Sequence, residues 1–166
     1  MAPRLVARLS LTLVACLALS GCGIWSQIIP GVPFDSVYVV NRGGSYFVGT
    51  RCDVSLSDVG VFLSNPYSRT NPTIDWSQAL WHATAAPPAT GEVQLFGANQ
   101  SGVTVEHDGG ARPTSQLLYV YMTGPTGGWG RAVYLDRIGV GQVDNQAGIM
   151  SWKDFMNIPD SHFGWC

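Results

Sequence analysis

Residues 116–123, Gln-Leu-Leu-Tyr-Val-Tyr-Met-Thr, place Leu118, Val120 and Met122 at one phase of a two-residue period and Leu117, Tyr119 and Tyr121 at the other. Side chains alternate between the two faces of a strand, so a run apolar in both phases reads as a central strand covered on both sides. Such a strand needs partners, and the rest of the chain offers them. Val37–Asn41 and Ser45–Cys52 bracket Arg42-Gly43-Gly44, a hairpin signal, with Tyr46, Val48, Thr50 and Cys52 on one face. Val59, Val61 and Leu63 alternate up to Asn65-Pro66, and Glu92–Phe96, Val103–Glu106 and Ala132–Val140 add further β-runs. Pro66 and Pro72, Pro87-Pro88, Asp108-Gly109-Gly110 and the glycine-rich stretch 124–130 separate them. Segment 74–85 is ambiguous, because Trp76, Leu80 and Trp81 fit a helical stripe as well as a strand; its neighbourhood favours a strand over Gln78–Thr84. The pattern predicts an all-β fold, an antiparallel β-sandwich or barrel of about seven to eight strands. One short C-terminal helical segment is expected, capped by Ser151 with Asp154 three residues on, and carrying Trp152, Phe155 and Met156 on one face before Ile158-Pro159 stops it.

The N-terminus is of another kind. Arg4 and Arg8 precede an apolar run, Leu9–Leu19, too short to cross a ~30 Å hydrocarbon core, which makes it the h-region of an export signal. Leu19-Ser20-Gly21-Cys22 closes that run and resembles the lipobox of bacterial lipoproteins. The resemblance covers residues 1–22 alone. It implies cleavage before Cys22, a diacylglycerol on the Cys22 thiol and residence on the extracytoplasmic side of a bacterial cell membrane. A second, looser match, Leu13-Val14-Ala15-Cys16, would leave an h-region of only about seven residues, at the lower limit for such segments. Cleavage near Ser20-Gly21 without lipidation is the other alternative. Two acyl chains hold a protein on a bilayer where one holds only marginally, at about 0.8 kcal/mol per buried methylene. The organisation read from the sequence is therefore a removed signal peptide, 1–21, a lipidated N-terminus and tether, 22–34, and a single β-rich domain, 35–166.

Lipidation of Cys22 leaves Cys52 and Cys166 as an even pair in an oxidising compartment, and a Cys52–Cys166 disulfide is the simplest assignment. On the chain-entropy view so long a loop would stabilise the fold by roughly 4–5 kcal/mol. Two free or metal-bound thiols are the alternative.

Composition narrows the function classes. Loss of both leader arginines leaves seven basic residues against 11 acids, without a basic cluster, which argues against a nucleic-acid partner. No glycine pattern for a nucleotide phosphate, no compact metal-ligand spacing and no nucleophile elbow is present, so no cofactor or metal is implied. Glu106-His107-Asp108 is the densest ionisable cluster and the candidate for acid–base or metal chemistry, yet successive strand residues point to opposite faces, and a solvated hairpin tip accounts for it as well. His82 and His162 lie far from it in sequence. Six Trp and six Tyr are many for a domain of this length. Trp129, set among glycines, is the candidate stacking platform for a sugar or a partner protein, or else folds back over the sheet end; Trp76, Trp81, Trp152 and Trp165 read as core. The sequence favours a non-enzymatic envelope binding domain for a protein, glycan or lipid. An envelope hydrolase or metal-dependent enzyme using His107 or His82, or an assembly protein without a ligand, are the alternatives.

Overall fold

In the computed structural model, residues 36–51, 54–67, 73–89, 91–125 and 127–163 are described. Cys22, Cys52, Cys166 and Trp165 lie outside them, and no disulfide occurs among the described residues. The chain forms a β-sandwich of two five-stranded antiparallel sheets. The first has the order β10-β9-β1-β2-β5 and the second β6-β4-β3-β7-β8, where β1 is Val37–Arg42, β2 Ser45–Thr50, β3 Leu56–Phe62, β4 Trp81–Ala89, β5 Val93–Gln94, β6 Val103–Asp108, β7 Leu118–Gly124, β8 Gly127–Val133, β9 Gln142–Asn145 and β10 Gly148–Ser151.

Strands β1 and β2 pair from Val37↔Thr50 to Arg42↔Ser45, which leaves Gly43-Gly44 as a two-residue connection. Both glycines have positive φ, the backbone that a hairpin turn matching the right-handed strand twist requires. Alternation then assigns the faces. Val37 and Val39 on β1, Val48 on β2, Val59 and Val61 on β3, Trp81 and Ala83 on β4, and Leu118, Val120 and Met122 on β7 fill the space between the sheets. The Trp81 indole is fully enclosed there, donating its N–H to the Gly97 carbonyl at 3.2 Å. One ion pair crosses this layer, Arg131 of β8 with Asp144 of β9.

The strand buried on both faces is β1. Its outward Tyr38 and Val40 lie beneath the helix α1, Trp152–Met156, and beneath Phe163. The Ser151 hydroxyl caps α1 by accepting from the Asp154 N–H at 3.1 Å. Arg51 fastens the segment that follows: Nη2 donates to the carbonyls of Met156 and Ile158, Nε reaches Asp160 at 3.0 Å, and the guanidinium lies over the Phe155 and Phe163 rings.

Several features differ from the sequence-based expectation. Strand β4 runs through Pro87-Pro88, which reads as a break in the sequence. Strand β7 is paired on both edges, but its outward Tyr119, Tyr121 and Thr123 are only half-buried, because among the described residues no helix covers the second sheet. The glycine-rich stretch expected to be a loop is largely strand β8, and the β-run expected over Ala132–Val140 ends at Val133, where a 3-10 turn, Leu135–Arg137, follows. The run expected over Glu92–Phe96 forms a strand only at Val93–Gln94, while the hairpin β9–β10 was not expected and brings the strands to ten among the described residues. Among these residues no helix is long and apolar enough to cross a membrane.

Candidate functional site

The outer face of the second sheet, over which no helix lies among the described residues, concentrates polar and aromatic groups. Period-two alternation turns Asp58, Gly60 and Phe62 of β3, His82 and Thr84 of β4, and Tyr119, Tyr121 and Thr123 of β7 outward together. Asp58 is the polar centre. Its Oδ2 accepts from the Thr123 hydroxyl at 2.8 Å, and its Oδ1 lies 3.1 Å from His82 Nε2. An ionised carboxylate only accepts, so the His82 ring nitrogen is the donor in that contact.

Trp76 closes the back of this group. It opens a 3-10 turn, Trp76–Gln78, that Asp75 caps by accepting from the Ser77 N–H and hydroxyl at 3.1 and 2.6 Å. Those bonds hold the Asp75 carboxyl below its usual range. The Trp76 ring stacks on His82, with centroids 4.5 Å apart and planes 13° from parallel, and leans on Phe62. Gly60 beneath it makes this approach possible, since a Cβ there would lie 2.8 Å from Trp76 Cζ3.

Tyr121 occupies the middle of the open face. Its ring spans Gly128 and Gly130 of β8, where an added Cβ would come within 2.9 Å of Cε1 and 2.5 Å of Cδ2 respectively. The glycines that a sequence reading assigns to a loop thus clear a seat for this ring. On either side lies a hollow. One, of about 650 Å³, is lined by Tyr67, Ile74, Trp76, Tyr121, Thr123 and Gly128. The other, of about 400 Å³, is lined by Asn65, Tyr67, Tyr119, Tyr121 and Gly130, with Arg131 at its base. Tyr67 and Tyr121 belong to both. Burial raises the Tyr121 phenol pKa, and the neighbouring Tyr67 phenol adds to the shift.

Of the residues singled out by sequence, His82 joins this site as the partner of Asp58. His107 is the cross-strand neighbour of His82 on the edge strand β6, with its side chain exposed. Glu106 and Asp108 do not converge on His107. Glu106 accepts from the Thr84 hydroxyl at 2.7 Å, while Asp108 forms a two-pronged pair with Arg112, both contacts at 2.7 Å, and accepts from the Gly110 N–H. The Arg112 hydrogen bonds, and then the Gly110 N–H, hold the Asp108 carboxyl down to about 2. His162 lies in a separate 3-10 turn, Asp160–His162.

Trp129 is turned the other way from a surface platform: it pairs with the inward Met122 across β7 and β8 and packs on the core between the sheets. Trp76, read as core, is instead the tryptophan at the open face; Trp81 is buried between the sheets as expected, and Trp152 is half-buried against Tyr38 and Phe155. No group of three or more His, Cys, Asp or Glu side chains able to hold a metal occurs among the described residues. Compared with family models, curated proteins and solved structures, the chain matches none.

Proposed function

We propose that the chain is a cell-envelope lipoprotein, tethered through Cys22 to the extracytoplasmic side of a bacterial membrane, and that its sandwich is a non-enzymatic binding domain. The observation that carries the binding reading is the pair of hollows that share Tyr67 and Tyr121 on the outer face of the second sheet. Ligand sites are concave, aromatic-rich and furnished with a few placed polar groups, and hollows of this size fall in the usual range of roughly 300–1,000 Å³. The Asp58–His82 contact favours positioning over catalysis: His82 is enclosed under Trp76, and both Asp58 oxygens are engaged.

The lipid anchor rests on the leader, and two acyl chains suffice to keep the domain at the bilayer. A Cys52–Cys166 bridge fits the same compartment; Arg51, beside Cys52, lies over Phe163, three residues before Cys166. Intact mass without reductant tests it, a value two protons below the free-thiol form being expected.

The experiment for the whole reading uses membrane fractions. Cys22→Ala is expected to move the protein to the soluble fraction, and a variant that still sediments with membrane to the wild-type extent refutes the anchor. In overlay on immobilised envelope fractions, Tyr67→Ala is expected to lose retention; retention equal to wild type refutes this face as the binding surface.

A further inference from the structure

We infer that the two hollows are adjoining subsites for a neutral oligosaccharide, which stacks its sugar rings on Tyr67 and Tyr121. This rests on the reading of the outer face of the second sheet as the binding surface, and narrows its occupant by charge, polarity and length.

Charge comes first. The larger hollow is lined by tyrosine, tryptophan, threonine, isoleucine and glycine, with no ionised group among the described residues that line it. The nearest carboxylate, Asp58, lies behind Thr123 with both oxygens occupied. The smaller hollow includes Arg131, but that guanidinium is committed inside the sandwich to Asp144 and to the Asn145 carbonyl. A phosphate, a nucleotide or an acidic chain would surrender its hydration here and meet no counter-charge among the described lining residues.

Polarity excludes the opposite extreme. Residues with polar side-chain groups, Tyr67, Tyr119, Tyr121, Thr123 and Asn65, are among those that line the hollows. A purely apolar occupant such as an acyl chain would strip water from these groups and return no hydrogen bonds, at a cost of roughly 1–3 kcal/mol for each group left unpaired. A pyranose offers both requirements at once, an apolar C–H face for a flat ring and hydroxyls at its rim. Tyr121 is held to present such a ring, since Gly128 and Gly130 let it lie across β8.

Length follows from the layout. Both hollows share Tyr67 and Tyr121, so one chain can run through both, and more than one sugar ring is needed to fill them. A peptide adding to the sheet would use the free edge of β8, not the face over β7, where these hollows lie.

The test titrates the detergent-solubilised mature protein with a panel of neutral hexasaccharides: cellohexaose, laminarihexaose, maltohexaose, mannohexaose and chitohexaose. Hexagalacturonate serves as the anionic comparison and glucose as the single ring. Saturation-transfer NMR and calorimetry read binding. At least one neutral hexasaccharide is expected to bind, glucose more weakly, and hexagalacturonate not at all. Tyr67→Ala, at an exposed position where the fold is not at stake, should weaken binding about tenfold. Gly130→Ala, which displaces the Tyr121 ring without removing it, should weaken it too, whereas Tyr121→Phe keeps most of the affinity.

Silence from every neutral hexasaccharide, preference for hexagalacturonate, or equal binding by Tyr67→Ala and wild type each overturns the proposal. If the panel is silent while retention on envelope fractions still depends on Tyr67, the sugar assignment falls and the binding face stands. If retention is also independent of Tyr67, both fall.

Discussion

Asp144→Ala removes the carboxylate from the one ion pair that crosses the interior. Arg131 and Asp144 side chains are only 17% and 12% exposed. Arg131 Nη2 donates to Asp144 Oδ1 and to the Asn145 carbonyl, while Nε, also buried, has no partner among the described residues. Without Asp144 the guanidinium keeps its charge and one carbonyl. Breaking a buried pair in this way costs about 3–5 kcal/mol, since the remaining ion has lost its water and its partner. For a unit of this size that loss lowers the melting midpoint by roughly 10–20 °C. Asp108→Ala is the control. Its pair with Arg112 is 37% and 38% exposed, so solvent screens it and the midpoint should stay near wild type. The double variant Arg131→Met/Asp144→Leu puts apolar side chains in place of both ions and should recover most or all of the lost stability. Circular dichroism melts and calorimetry of the four proteins decide the matter. An Asp144→Ala midpoint within a few degrees of wild type refutes the buried-charge argument, and a double variant as unstable as the single assigns the loss to packing instead.

Other expectations follow from close contacts. Gly60→Ala sets a methyl against Trp76 and Phe62, and over-packing of this kind costs about 1–3 kcal/mol; the Trp76 fluorescence should shift as the ring leaves His82. Trp129→Ala opens a void beside Met122 and should destabilise by roughly 2–3 kcal/mol, less than a fully buried tryptophan, with a denaturant melt as the measure. In an NMR titration Asp108 should titrate at about 2, and Arg112→Ala should return it towards 3.8. A carboxyl held down in the folded state adds stability that is present above its unfolded pKa and is lost as pH falls through the folded one; exposure keeps that contribution small.

The fold class was legible because its evidence is local. A two-residue period is a property of neighbours along the chain, and it assigned the inward Leu118, Val120 and Met122 and the opposed Tyr119 and Tyr121 correctly. The Gly43-Gly44 turn and the Ser151 cap were readable for the same reason. The short strands β9 and β10 were not, since four residues carry too little pattern to separate a strand from a loop.

The candidate site was hardly legible at all. Asp58 meets His82 across 24 residues and Thr123 across 65. No spacing rule spans such intervals; the register of β3 with β4 and β7 creates them. Trp76 lies at the open face and not in the core for a related reason, while Trp129 takes the second of its two readings: Gly128 and Gly130 make room for the Tyr121 ring on one face of β8, and Trp129 folds back onto the core on the other.

By itself the sequence determined an alternation that calls for mostly β-structure, and it offered an expectation for residues 1–22, whose charge, apolar length and Cys22 resemble a lipobox. Each is written in consecutive residues, where local sterics and hydrophobicity act. Which sheet face stays open was decided by tertiary structure alone. Arg51, Phe155 and Phe163 bring the C-terminal segment onto β1 and bury its outer face, and among the described residues no helix lies over β7 in the same way. Tyr121 therefore faces solvent and Tyr38 does not, although both are tyrosines at alternating positions of apolar strands.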